Sequence, residues 1–215
     1  MVSLLWSVMR EGLGRALERM NRCEADAVAR STVLPPDEPG PELTGLTTVA
    51  RGGLLWAGIA AVLAARPGRA RCAARDGVVA VAVASASSHL IGWWFPRRRP
   101  AADHLPAYQA LVHQPTSSSF PSSHAATAAA FTTAIACENP TAGLLVAPVA
   151  VAVAHSRLRT RAHWPSDVVA GAVWGITVGV STRHLLRLPA TADSIQLARF
   201  FARIVHRQFG VSMQH

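Results

Sequence analysis

Three short runs in this chain carry side chains that together could handle a phosphate ester. They are Arg98-Arg99-Pro100, Pro121-Ser122-Ser123-His124, and Ser156-Arg157 followed by His163 and Asp167. One imidazole can attack phosphorus, a second can protonate the departing oxygen, and guanidinium groups can hold the nonbridging oxygens as charge builds on them. These residue types cover phosphoryl transfer without calling on a metal ion. The runs are far apart in sequence, so the fold has to bring them together.

Half of the 215 residues are apolar and only 15% are charged, which is a low charge content for a soluble domain. The apolar residues come in blocks at 46–65, 76–95, 124–137, 141–155 and 168–180. Each block is near or below the roughly 20 residues that span a bilayer. The pattern predicts an all-α, integral-membrane bundle of about five core helices, with the three runs at block ends or between blocks. A buried, water-soluble helical core is the competing reading of the same blocks.

The ends of the chain differ from this core. The first twenty or so residues read as an amphipathic helix with no cleavable signal peptide. Residues 23–43, with Pro35-Pro36 and the stretch from Asp37 to Pro41, read as a polar linker. Between 191 and 210, Asp193 can start a helix and Gly210 can end it, with Ile195, Ala198, Phe201 and Val205 on one face and Arg199, Arg203 and Arg207 on the other. The organisation is therefore 1–44 amphipathic helix and linker, 45–188 core, and 189–215 C-terminal amphipathic helix.

All 21 basic residues are arginine, giving a net charge of +9. No zinc-finger, helix-turn-helix or aromatic-interleaved basic pattern accompanies them, so nucleic acid is not the expected partner and a membrane surface is. Arg66, Arg69, Arg71 and Arg75 lie between the first two blocks, while Arg183, Arg187, Arg199, Arg203 and Arg207 follow the last. The positive-inside rule puts both groups in the cytoplasm, and counting alternate crossings then puts the three motif runs, Arg-rich though they are, on the extracytoplasmic face. Cys23, Cys72 and Cys137 lack the spacing of a metal site or a disulfide framework, and no cofactor is expected.

On the three runs the chain resembles the type 2 phosphatidic acid phosphatase superfamily, membrane lipid phosphatases that share a helical core with bacterial acid phosphatases and vanadium haloperoxidases. That family's pattern is Lys, six residues, Arg-Pro; then Pro-Ser-Gly-His; then Ser-Arg, five residues, His, three residues, Asp. Ser156, Arg157, His163 and Asp167 fit the third part in full, and the resemblance covers about 45–186. It implies that His163 is the nucleophile forming a phosphohistidine, that His124 is the general acid, and that Asp167 holds the second ring N–H of His163. It further implies phosphate binding by Arg99, Arg157, Ser122 and Ser123, with Arg98 as an additional cation. The implied substrate is a lipid phosphomonoester or diphosphate, such as a polyprenyl phosphate or phosphatidic acid.

Two positions depart from the pattern. Ser123 stands where the family has Gly, a mild change because a backbone N–H is what the position supplies. Gly92 stands where the family has Lys, and Arg97, Arg98 or His89 would have to replace that cation; Gly92→Lys is then expected to leave folding intact. A vanadate-dependent haloperoxidase-like enzyme and a non-catalytic membrane scaffold remain alternatives, the scaffold because of Gly92.

Overall fold

The computed structural model describes residues 12, 15, 18–26, 53–100 and 117–188, and these are all helix, turn or irregular chain. The chain divides into two compact units, Met1–Arg183 and His184–His215. Described residues of the second unit, 184–188, end the last helix and close it with a turn.

Residues 18–26 are helical. Five further helices follow: α1 Leu54–Ala64, α2 Arg69–Trp94, α3 Ser123–Glu138, α4 Pro140–Arg159 and α5 Pro165–Leu185. They coincide with the five apolar blocks, with differences at the helix ends. Helix α2 begins seven residues before its block, so Arg69, Arg71 and Arg75 lie on its first turns rather than in a loop, as the good helix propensities of Arg and Ala allow. Helix α5 runs five residues beyond its block. The N-terminal helix continues through Asp26, so no linker starts at Cys23. The rest of that linker and the C-terminal amphipathic helix lie outside the described residues.

Helix α3 is the centre of the bundle, and its alanines let neighbours approach closely. On one side Phe131 and Ile135 pack with Trp56 and Ala60 of α1, Ala73 and Ala74 of α2, and Val146 and Val153 of α4. The Trp56 and Phe131 ring centroids are 5.0 Å apart. On the other side Ala126, Ala130 and Ala134 meet Ala80 and Ala84 of α2 and Val178 of α5. The approach of α5 is closest: a Cβ on Gly171 would stand 2.4 Å from the Ser122 carbonyl oxygen, and one on Gly175 would stand 2.2 Å from that of Ala126. Small residues one turn apart on both helices thus set their separation, as at helix contacts in membranes.

Large aliphatic side chains point outward instead. Leu54, Val62, Leu144, Leu145, Val151, Val169 and Val173 are all exposed, an inside-small, outside-large arrangement. Helices α2 and α4 are long and apolar enough to cross a membrane.

At the end of α2, α3 and α5 opposite the motif residues lies a charge cluster whose two carboxylates are buried and whose Arg75 reaches the surface. Asp76 is paired with Arg75 at 2.8 Å, Arg183 is paired with Glu138, and Arg183 Nη1 lies 3.7 Å from Asp76. Two carboxylates and two guanidinium groups balance, which buried charges require.

The close contact of α5 with α3 is testable. Gly175→Ala should destabilise the protein by about 1–3 kcal/mol, the usual cost of overpacking, seen as a lower Tm in detergent. Gly58→Ala, where a Cβ meets nothing within 4 Å, should leave Tm the same or slightly higher.

Candidate active site

The first run is extended chain, and successive side chains of an extended segment point to opposite sides. Arg97 is accordingly buried, Arg98 exposed and Arg99 half-buried. The backbone of this run is sewn to the residues before α3: Ser119 N–H donates to the Arg97 carbonyl at 2.9 Å, Arg97 N–H donates to Ser118 Oγ at 3.0 Å, and Ser119 Oγ donates to the Arg98 carbonyl at 3.2 Å. Trp164 Nε1, from the third run, also donates to the Arg98 carbonyl, at 2.9 Å. Arg98 therefore contributes its carbonyl to the architecture, and its exposed guanidinium is not among the cavity-lining groups described below.

Ser122 caps α3, its Oγ accepting from Ala125 N–H at 3.4 Å. Its own N–H donates to the Asp167 carbonyl at 3.0 Å. The Ser122 hydroxyl is thus engaged in capping α3, and its N–H in joining the starts of α3 and α5. Ser123, the first helical residue, is the one that lines the cavity, where the orphan N–H groups and positive end of α3 favour an anion.

The third run is shaped by two helix ends. Helix α4 closes with Arg161 in the left-handed region at φ 52. Arg161 N–H donates to the Leu158 carbonyl and Ala162 N–H to that of Arg157, both at 3.1 Å, which is the Schellman pattern. Helix α5 then opens with Asp167 Oδ2 accepting from Trp164 N–H at 2.9 Å, as an acidic residue in the first turn does in a capping box. His163 is held between the two ends.

His163 is 6% exposed. Its Nδ1 lies 2.6 Å from the Ser119 carbonyl; a carbonyl only accepts, so Nδ1 carries the proton and Nε2 keeps its lone pair. Nε2 is 3.4 Å from Arg99 Nη1. The expected Asp167 contact is absent as a hydrogen bond, because Oδ2 stands 3.9 Å from Nδ1 and the Ser119 carbonyl occupies that role. Burial, then Arg99, push the imidazole down to about 3, with His124 and Arg157 adding to the effect and the Ser119 carbonyl opposing it. The ring is neutral at physiological pH.

Asp167 instead pairs with Arg97, whose side chain is fully buried. Arg97 Nη1 also donates to Ser166 Oγ at 2.6 Å, Nη2 to Glu24 Oε2 at 2.6 Å, and Nε to Asn21 Oδ1 at 2.8 Å. Its guanidinium carbon sits 5.6 Å over the Trp164 ring. Arg97 therefore does not replace the missing Lys. Nothing in the local sequence distinguishes it from Arg98, and no motif marks Asn21, Glu24 or Ser119.

A cavity of about 360 Å³ opens beside this construction, with Arg99, His163 and Ser123 at one side, Ser88, His89, Gly92 and Trp93 of α2 at another, and Phe120 and Pro121 between. Arg99 Nη1 donates to the Ala162 carbonyl at 2.6 Å, and Nη2 lies 3.3 Å from Ser117 Oγ and the Ser118 carbonyl. Burial lowers its pKa, and the Asp167 charge counters this. Among the described residues, His124 and Arg157 do not line the cavity. His124 is half-buried in the first turn of α3, and Arg157 is buried with Nε and Nη2 donating to Ser156 Oγ at 3.2 and 3.1 Å. Gly92 is where α2 passes the preceding loop: a Cβ there would be 3.0 Å from the Phe120 carbonyl oxygen. A lysine at that position would push on backbone, contrary to the expectation that Gly92→Lys is structurally neutral.

The buried neutral imidazole has a consequence for stability. An ordinary imidazole takes up its proton near 6.5 and His163 near 3, so the unfolded chain binds more protons between these values. Stability is complete above about pH 6.5 and declines as pH falls toward 3. His163→Gln should flatten that limb of the stability curve measured by denaturation in detergent; an unaltered slope would refute the neutral assignment.

Comparisons with known proteins agree on a family for this chain. A solved structure, described as the first transmembrane PAP2 type phosphatidylglycerolphosphate phosphatase from Bacillus subtilis, superposes with a TM-score of 0.56 at 18% identity, covering 82% of this chain and 97% of that one. A putative undecaprenyl-diphosphatase of Escherichia coli is 33% identical over 109 residues, 48% of this chain and 54% of the relative. A decaprenylphosphoryl-5-phosphoribose phosphatase of Mycobacterium tuberculosis is 42% identical over 99 residues, 45% of this chain and 52% of the relative. The chain thus spans about half the length of the curated relatives it matches. The family model described as PAP2 superfamily matches residues 74–188, more than half of the chain and all three runs, and with the helical bundle and the converged motifs it places this protein in the PAP2 superfamily.

Proposed function

We propose that this chain is a membrane lipid phosphatase that hydrolyses a lipid phosphomonoester or diphosphate through a phosphohistidine on His163. The observation that carries the reading is the neutral His163 imidazole with its Nε2 lone pair 3.4 Å from the Arg99 guanidinium at the wall of a cavity. A nucleophile and a cation for the phosphoryl oxygens are side by side.

In the first step Nε2 attacks phosphorus, the P–N bond forms, and the P–O bond to the lipid or lipid phosphate breaks. His124 supplies the proton to the departing oxygen. In the second step water attacks the phosphohistidine, its proton passes to His124, and inorganic phosphate leaves with His163 regenerated. Arg99 and the start of α3 at Ser123 stabilise the charge on the nonbridging oxygens, and the buried Arg157 adds a positive charge felt at His163. The Ser119 carbonyl fixes the tautomer, while Asp167 holds the loop through Trp164 N–H and Arg97.

A lipid is the substrate class that fits the cavity's rim, where Trp93 both lines the opening and is 76% exposed, as an interfacial indole is. Polyprenyl-linked phosphates are the leading candidates, in line with the activities named for the two curated relatives; phosphatidic acid is a second. The helices cross the bilayer several times. The arginines at the start of α2 and after Thr182 face the cytoplasm, so the site opens on the extracytoplasmic side.

Purified protein in detergent should release phosphate from at least one of a polyprenyl diphosphate, a polyprenyl-linked sugar phosphate and phosphatidic acid, with excess chelator present. His163→Ala should abolish both turnover and acid-labile phosphoenzyme, whereas His124→Ala should still form phosphoenzyme from a substrate with a good leaving group. Full activity in His163→Ala would refute the nucleophile. No release from any of the three would favour a non-catalytic scaffold.

A further inference from the structure

The N-terminal helix lies outside the residues matched by the family and outside every motif, yet it reaches the loop that carries His163. Two of its side chains one turn apart, Asn21 and Glu24, face inward, while Glu18, Arg19, Arg22 and Cys23 are exposed. Glu24 Oε1 accepts from Ser166 N–H at 2.8 Å, and Oε2 accepts from Ser166 Oγ at 3.1 Å and from Arg97 Nη2 at 2.6 Å. Ser166 is the second residue of α5, so Glu24 satisfies one of that helix's orphan N–H groups and puts negative charge at its positive end.

We propose that Glu24 is a positioning residue for His163, acting through Arg97. The Arg97 guanidinium is fully buried and shared between two carboxylates, Glu24 and Asp167. Its backbone carbonyl holds Ser119 N–H at 2.9 Å, and the carbonyl of Ser119 in turn holds His163 Nδ1 at 2.6 Å. The path from the N-terminal helix to the imidazole is therefore Glu24, Arg97, Ser119, His163. A parallel branch runs through Ser166 and Asp167 to Trp164 N–H, next to His163. Without Glu24 the buried guanidinium loses a charge partner, which strongly penalises the arrangement that presents Arg97 to Ser119. The fold is then free to let the first run and the His163 loop shift. Small displacements of a nucleophile reduce the chemical step more than substrate binding.

The kinetic part of this proposal rests on the phosphatase reading, so the test includes a measurement that does not. In Glu24→Ala, kcat should fall about tenfold to a hundredfold with KM within about twofold, while Glu24→Gln, which keeps the acceptor for Ser166 N–H, should recover part of the loss. Glu18→Ala, on the exposed face of the same helix, should match the wild type. Independently, NMR of ¹⁵N-histidine-labelled protein should show a His163 Nδ1–H that is protected in wild type and exchanges faster in Glu24→Ala. An unchanged kcat together with an unchanged Nδ1–H overturns the proposal. If the wild type proves inactive toward every lipid phosphate, the phosphatase reading fails and the Nδ1–H exchange alone decides the role of Glu24. Should Glu24→Ala not fold, the same two measurements on Glu24→Gln decide it.

Discussion

The ion pair between Arg97 and Asp167 organises the active end of this molecule. Both side chains are excluded from water, so separating them would leave charge buried without its counterpart, which is far more costly than separating an exposed pair. The pair ties the segment after α2 to the first turn of α5. Hydrogen bonds from the same two residues, Arg97 carbonyl to Ser119 and Asp167 carbonyl to Ser122, then draw in the segment before α3. Three stretches remote in sequence are thereby fixed by one buried electrostatic contact, and His163 takes its orientation from them.

The helix packing below explains why that end can be so compact. Glycine and alanine at the α3–α5 contact bring the two helix starts within backbone contact distance, so their positive ends lie side by side. His163 sits beside them, and its removal from water, reinforced by the charge of Arg99 and more weakly of His124 and Arg157, makes the imidazole more stable neutral than charged.

Much of this was legible in the sequence, and the remainder was not for identifiable reasons. Apolar blocks located five helices, because that signal is local. The early start of α2 was hidden since Arg69, Arg71 and Arg75 suit a helix as well as a loop. The tight exit from α4 was hidden because Arg161, not glycine, takes the left-handed conformation. The family resemblance implied Asp167 as the partner of His163, whereas the Ser119 carbonyl fills that place, and a backbone carbonyl has no sequence signature. Arg97 could be told from Arg98 only by knowing which side of the extended segment faces inward. Glu24 lies too far upstream for any local pattern to connect it with His163.

The charge cluster at the opposite end, where Arg183 meets Glu138 and Asp76, bears on biogenesis. Asp76 has Arg75 beside it from the moment both emerge from the ribosome. Glu138 leaves much earlier than Arg183, which lies near the end of α5. The pair between them therefore forms only once α5 has been made, so packing of α5 against α3 and charge pairing at the far end of the bundle come about together.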